Sequence, residues 1–331
     1  MLLSLVHCYT INIDIDSELE RIDFKNMHGV LTRLLAGSDS PSLPCRSLNE
    51  TIPPSTVMFT YSNHEGFDMV LMQQESMDFW KPGLKNCLNT IFLVICVDAK
   101  CFEKCKEQSG INCALVDYSK TMDQLPRIYH YFFLCYIKHH LMDSILMTRN
   151  DISAIFFFDA DVLIFRNPLS NLGDLNEQEN AYVSDISHDL LFQEECGFGS
   201  LTMKCLAKGK NDVNSGQLYL RKSEKVAAYF DYIKSRKEQI IFPKPQVLDQ
   251  QFILPAAQHA GMTLCGMNRY HYTSACQVVN CKSNDDAAFN GIVTLHLACV
   301  AHSIKMQYLR LVMTRGRENP DWKMGQILQQ I

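Results

Sequence analysis

Residues 155–165 read IFFFDADVLIF, with two aspartates one residue apart between apolar runs. The leading run, Ile155-Phe156-Phe157-Phe158, has the length and aromatic content of a strand buried on both faces. Two carboxylates held close together in such surroundings repel one another and resist desolvation, so they are costly unless a cation or a proton sits between them. A divalent metal is the simplest answer, and a solvated turn is the alternative. Working outward, TVMFTYSN (56–63) and TIFLVICVDAK (90–100) read as further buried strands, with a helix over 66–79 between them. CFEKCKEQSG (101–110) reads as a short helix with a glycine stop, and a long amphipathic helix is expected over roughly 124–147. This alternation predicts an α/β fold, Rossmann-like, with a mostly parallel sheet flanked by helices. Ligands bind beyond the carboxyl ends of such strands, which places Asp159 and Asp161 at the rim. Residues i and i+2 of an extended chain face one side, so both would point the same way.

The bulk composition is compatible with that layout. The 331 residues are 47% hydrophobic and 20% charged, enough to bury a large core. A formal net charge of −5, without a block of like charge, provides no electrostatic footprint for nucleic acid. The N-terminal run MLLSLV is too short for a transmembrane helix and lacks the basic flank of a signal peptide, so either the protein is soluble or an N-terminal anchor is missing. Residues 1–54 include the turn-rich GSDSPSLPCRSLNETIPP and read as an accessory segment or linker, followed by a main domain over 55–315 and a tail over 316–331.

Fourteen cysteines are many for a cytosolic chain. Cys101 and Cys105, and Cys276 and Cys281, lack a second pair at zinc-site spacing, which disfavours structural zinc. Buried thiols are one expectation. Disulfides such as Cys196–Cys205 or Cys276–Cys281 are the other, if the chain enters the secretory pathway. The sequon Asn49-Glu50-Thr51 points the same way.

An aspartate pair after an apolar strand is shared by metal-dependent sugar-nucleotide transferases and by haloacid-dehalogenase-like phosphatases, in which the first aspartate is a nucleophile. The phosphatase motif normally opens its domain and has threonine or valine two residues beyond the second aspartate. Here about 150 residues precede it and Leu163 stands in that place. Asp285-Asp286 lacks the apolar lead-in of the late phosphatase motif.

Five segments decide between them. DADVLIFRNPLSNL (159–172), AYVSDIS (181–187), NSGQLYLRKS (214–223), LDQQFIL (248–254) and LHLACVAHSIK (295–305) occur in this order. Together they resemble the nucleotide-diphospho-sugar transferases of glycosyltransferase family 77 and, more distantly, family 8, over about Thr56 to Leu311. The resemblance implies a GT-A fold, Mn²⁺ (or Mg²⁺), a UDP-sugar donor, a glycan or glycoprotein acceptor, retention of anomeric configuration and a Golgi or secretory lumen. A catalytically silent GT-A-fold protein that binds glycans is the rival from another class.

Residue by residue, the resemblance makes Asp159, Asp161 and His296 the metal ligands, and neutral imidazole beside two carboxylates suits Mn²⁺. Lys305 would meet the diphosphate as a point charge, although Ala298, Ala301 and His302 depart from the small polar residue and glycine usual in that motif. Thr60 and Asn63 of TYSN, Lys138, Asn214, Ser215 and Gly216 complete the expected nucleotide-sugar site. Gly216 would let the backbone bend with φ above zero, and Lys138 would sit at the polar edge of its helix. Asp185 would accept from sugar hydroxyls, and Asp249 and Gln250 would lie next to the anomeric carbon; helix capping is the plainer role for SDIS and LDQQ. A retaining enzyme needs no separate base, so Gln250 would position rather than attack, with double displacement through Asp185 or Asp249 as the alternative.

Overall fold

TVMFTYS, FLVIC and AIFFF are buried along almost their whole length, and in the computed structural model they lie side by side as parallel strands. The structure describes residues 13–36, 43–50, 52–53, 55–170, 172, 188–195, 212–243, 248–267, 271–275, 292–298 and 302–318. In chain order the strands are β1 (Thr56–Ser62), β2 (Phe92–Cys96), β3 (Asn112–Leu115), β4 (Ala154–Phe158), β5 (Val162–Ile164), β6 (Leu190–Glu195), β7 (Asp212–Arg221), β8 (Leu264–Gly266), β9 (Tyr272–Ser274) and β10 (Thr294–His296). Seven form one sheet in the order β3-β2-β1-β4-β7-β6-β8, and β5-β10-β9 form a second. The first four are parallel, and β7 runs antiparallel to both β4 and β6. The expected α/β layout with a mostly parallel sheet is the one found.

Side-chain alternation explains why these runs carry no polar face. Phe59, Leu93, Ile95 and Phe157 enter one core, while Met58, Val94, Phe156 and Phe158 enter a second core across the sheet. A third cluster, with Leu163, Leu295 and Leu309, joins the small sheet to the helix His302–Glu318. From β1 the chain steps outward to β2 and β3, then returns to place β4 on the other side of β1. That reversal at the carboxyl ends of β1 and β4 is where such sheets bind ligands.

Three local expectations change. The residues after Cys96 leave the strand, because the Asp98 side chain accepts from the Cys101 N–H (2.7 Å) and starts the helix Ala99–Lys106. The long helix expected over 124–147 is divided at Pro126, whose ring holds Leu125 in an extended conformation. Ser119–Gln124 is one helix, and His130–Thr148 follows a 3-10 turn at Arg127–Tyr129. Nor is His130–Thr148 amphipathic: it packs between β4 and the helices Val226–Ser235 and Lys237–Ile241, burying even Lys138 and His139. Ahead of the turn-rich stretch, residues 1–54 also contain the helix Lys25–Ala36, which lies against β3 and shares the core of β1 and β4 through Met27, Leu31 and Leu34.

Cysteine pairing follows the fold rather than the spacing. Cys45 is bonded to Cys87 and Cys105 to Cys113, so Cys101 and Cys105 have different partners, Cys101 lying against Cys96. The pairs Cys196–Cys205 and Cys276–Cys281 fall outside the described residues. Closing the 42-residue Cys45–Cys87 loop removes about 4 kcal/mol of chain entropy from the unfolded state on the loop-closure model. Replacing both cysteines by serine is expected to lower the unfolding free energy by about 2–4 kcal/mol, measured by urea denaturation without reductant. Peptide mapping of the untreated protein should recover both bonds.

His140 gives the stability a pH dependence. Burial, helped by the Lys234 ammonium, pushes its imidazole down to about 4 from 6.5, and the ring sits 3.0 Å from the Tyr118 hydroxyl. As pH falls from 6.5 towards 4 the unfolded chain takes up a proton that the native one refuses. Stability is therefore fully present above that window and declines through it. Urea melts across this range should show the decline, with a shallower slope for His140→Gln.

Candidate active site

β4 ends at Phe158, and Asp159-Ala160-Asp161 is a turn rather than extended chain: the Val162 N–H closes onto the Asp159 carbonyl (3.1 Å). The two carboxylates therefore converge through turn geometry, not through strand alternation. This turn hands the chain from the large sheet to β5 of the small one. It is pinned from both sides. The Asp159 N–H donates to the Gly216 carbonyl (2.8 Å), Gln73 Nε2 donates to the Asp159 carbonyl (3.0 Å), and the Leu297 N–H donates to the Asp161 carbonyl (3.2 Å).

His296 closes β10, paired with Val162 directly after the turn. Its Nε2 lies 3.4 Å from Asp161 Oδ1 and 3.8 Å from Asp159 Oδ2. One ligand atom from each of the three residues falls within 4.8 Å of the others, so the group can hold one cation. The imidazole is oriented from behind by Gln193. That amide donates through Nε2 to the Tyr272 carbonyl (3.2 Å), leaving Oε1 to accept from His296 Nδ1 at 2.8 Å. This network puts the proton on Nδ1 and turns the Nε2 lone pair towards two carboxylates, an arrangement that a cation between them relieves. The donor set of two carboxylates and one neutral imidazole suits Mn²⁺ or Mg²⁺.

Gly216 is needed here for a different reason from the expected one. Its φ is not positive; instead, a Cβ at this position would lie 2.1 Å from His296 Cε1, so only glycine leaves room for the ring. The surrounding backbone is irregular: Phe192 pairs with Leu218 but Gln193 with Asn214, so the 215–217 segment bulges out of the β6 ladder. Asn214 holds the bulge through Oδ1, which accepts from the Gly216 N–H (2.8 Å).

Beside this group lies a dry ionic cluster. Lys138 Nζ donates to Ser215 Oγ (2.7 Å) and to Asp249 Oδ2 (2.9 Å), and His139 Nε2 lies 3.2 Å from the same Asp249 oxygen. Lys138 and Asp249 side chains are each 3% exposed, so Lys138 is an interior partner rather than a lysine at the helix's polar edge. Asp249 precedes the helix Gln250–His259 without capping it; its carboxylate turns inward. Burial alone would raise the Asp249 carboxyl, but Lys138 and His139 hold it well below the usual range. Asp161 shows the same balance: burial would raise it, and a His296 ring carrying its second proton, together with Lys305, whose Nζ pairs with Asp161 Oδ2, would hold it low. Asp159 is raised instead, by burial and by Asp161, against the pull of Lys138.

A family model described as nucleotide-diphospho-sugar transferase matches residues 87–309, more than half of the chain. The chain belongs to this family. Membership makes the transferase an enzyme of glycosyl transfer and sets the phosphatase alternative aside. No curated protein matches the transferase significantly. Solved structures similar to it include a glycosyltransferase involved in glycosylation of the major capsid of PBCV-1 (10% identity, TM-score 0.44, covering 78% of this chain and 99% of that one). They also include the galactosyltransferase LgtC in complex with donor and acceptor sugar analogs (14%, 0.46, 73% and 86%). A third is mouse xyloside xylosyltransferase 1 in its apo form (12%, 0.43, 74% and 98%).

Of the residues singled out in the sequence, the structure gathers Asp159, Asp161, His296 and Lys305 in one group and Lys138, Ser215 and Asp249 in another, with Asn214 and Gly216 in the bulge between them. Gln250 follows Asp249 as the first residue of its helix, half-buried. Asn63 lies at the rim after β1 with its Oδ1 accepting from the Gly66 N–H (3.0 Å), whereas Thr60 is fully buried within the strand. Asp185 lies outside the described residues. Gln193, Gln73 and His139 were not signalled. Only the polar triplet closing LLFQEE hinted that the end of β6 does more than pack.

Gly216→Ala tests the close approach. It is expected to cost about 1–3 kcal/mol of stability and to weaken Mn²⁺ binding by about 10-fold or more, measured by thermal unfolding and by metal titration.

Proposed function

We propose that this transferase moves a hexose or pentose, galactose or xylose, from a UDP-sugar to a hydroxyl of a glycan or glycoprotein, with retention of configuration. The observation that supports it most is the convergence of Asp159, Asp161 and His296, with Lys305 beside them, beyond the carboxyl end of β4. A divalent ion bound there, Mn²⁺ or Mg²⁺, would stabilise the charge that develops on the departing diphosphate. Residues 55–315 would carry the transferase unit, with the N-terminal helices as its accessory part.

The remaining roles belong to the chain. Asp159, Asp161 and His296 hold the ion, and Gln193 and Gly216 keep the imidazole in place. Asn63 stands at the rim of the donor site and Asn214 and Gly216 shape it, while Thr60 supports it from within β1. Lys138 and Ser215 form a rigid wall with Asp249, and Asp249 fixes the start of the helix that presents Gln250 to the sugar. A carboxylate paired with Lys138 and His139 is a poor nucleophile, which favours front-face substitution over double displacement through Asp249. In that reaction the bond from the anomeric carbon to the diphosphate oxygen breaks and the acceptor oxygen bonds on the same face. The departing oxygen takes the acceptor's proton. Asp185 remains a candidate sugar contact. The disulfides Cys45–Cys87 and Cys105–Cys113 and the exposed Asn49 of the sequon support an oxidising compartment such as the Golgi lumen.

UDP at a hundredfold excess over its dissociation constant is expected to stabilise the protein by about 2.7 kcal/mol with Mn²⁺, but not with EDTA. Asp161→Asn should lose this gain. In a screen of UDP-sugars, Mn²⁺-dependent UDP release with an α-linked product by NMR would support the proposal. Equal stabilisation in EDTA, or a β-linked product, would count against it.

A further inference from the structure

Lys305 stands where its charge has two uses. Its Nζ pairs with Asp161 Oδ2, while Asp161 Oδ1 faces the His296 ring, and the carboxylate is only 7% exposed. Lys305 itself is only 20% exposed, which strengthens the pair relative to one in open water. A divalent ion drawing on Asp161 must therefore compete with an ammonium already in contact with it. Lys305 also lies in the first turn of the 17-residue helix His302–Glu318, where the peptide dipoles oppose a cation and favour an anion. An arriving diphosphate supplies that anion.

We propose that Lys305 is a shared counter-ion that passes from Asp161 to the donor diphosphate, so that metal and nucleotide bind as a coupled pair instead of metal first. The proposal rests on the metal and diphosphate sites of the preceding section and adds a direction to them. Lys305 opposes metal binding on its own and assists nucleotide binding. By linkage, each ligand then raises the affinity for the other, beyond what direct contact between ion and phosphate provides. A lysine that served only the phosphate would leave metal affinity alone, and one that served only the fold would weaken both ligands when removed. Opposite signs for the two ligands distinguish the exchange from either role.

The test titrates Mn²⁺ into the full chain with and without UDP, following free Mn²⁺ by EPR. Lys305→Met is expected to bind Mn²⁺ alone more tightly, by about 5-fold or more, and to bind UDP in the presence of Mn²⁺ more weakly. Lys305→Arg, which keeps the charge, should stay near wild type for Mn²⁺. Lys104→Met, an exposed lysine elsewhere, sets the baseline for loss of one distant charge. Thermal melts confirm that each variant is folded, and Lys305→Gln replaces the methionine variant if it is not. If Asp161→Asn abolishes Mn²⁺ binding while neither neutral Lys305 variant tightens it beyond the Lys104→Met baseline, the exchange is overturned and the metal site stands. If Asp161→Asn binds Mn²⁺ as wild type does, both fall.

Discussion

The turn Asp159-Ala160-Asp161 carries two carboxylates into the seam between the two sheets, and the surrounding structure answers that charge. Lys138 approaches from the buried helix on one side and Lys305 from the helix His302–Glu318 on the other, while His296 comes from the strand paired with β5. Burial would otherwise drive protons onto these groups, and the lysines keep Asp161 and Asp249 ionised. The apolar strands thus place the charges, and the basic residues make the placement tolerable.

Two clusters meet at Ser215-Gly216. On one side the bulge leaves room for the His296 ring; on the other Ser215 ties into Lys138 and Asp249. The Asp159–Asp161–His296 group and the Lys138–Asp249 cluster are therefore linked through one short piece of β7. A shift of this segment would move the imidazole and the start of the Gln250 helix together, which is how a site of separate elements keeps its geometry.

The sequence revealed this unevenly, for physical reasons. Parallel strands buried on both faces leave an apolar signature that survives without their neighbours, so β1, β2 and β4 could be read directly. The helix before β4 was legible as a helix but not in its start or its burial, because Pro126 shortens it from its start and a helix covered on nearly every side has no polar face. The aspartate pair was visible as a charge anomaly, but its geometry was not: extended chain and tight turn both bring residues 159 and 161 together. The sequence marks Gly216 but not the reason for it, since the ring that excludes a side chain there comes from residue 296. Gln193 and His139 act only through partners distant in sequence, so their local context was silent. Cysteine spacing likewise could not show that Cys45 meets Cys87, a contact made by the packing of two short helices.

Lys305 lies 144 positions after Asp161, which gives the acidic turn a history during synthesis. At ribosomal rates of about 5–20 residues per second, the aspartates emerge roughly 7–30 s before the lysine and slightly less before the imidazole. During that interval Lys138, already made, is the only one of the three basic partners available. The turn beyond β4 lacks its two later partners until β10 and the helix His302–Glu318 have been made. Release of an unfinished chain would leave apolar sheet surface beside unanswered charge, a feature that chaperones can detect. The segment that carries β10 and this helix thus completes the charge balance of a turn made long before it.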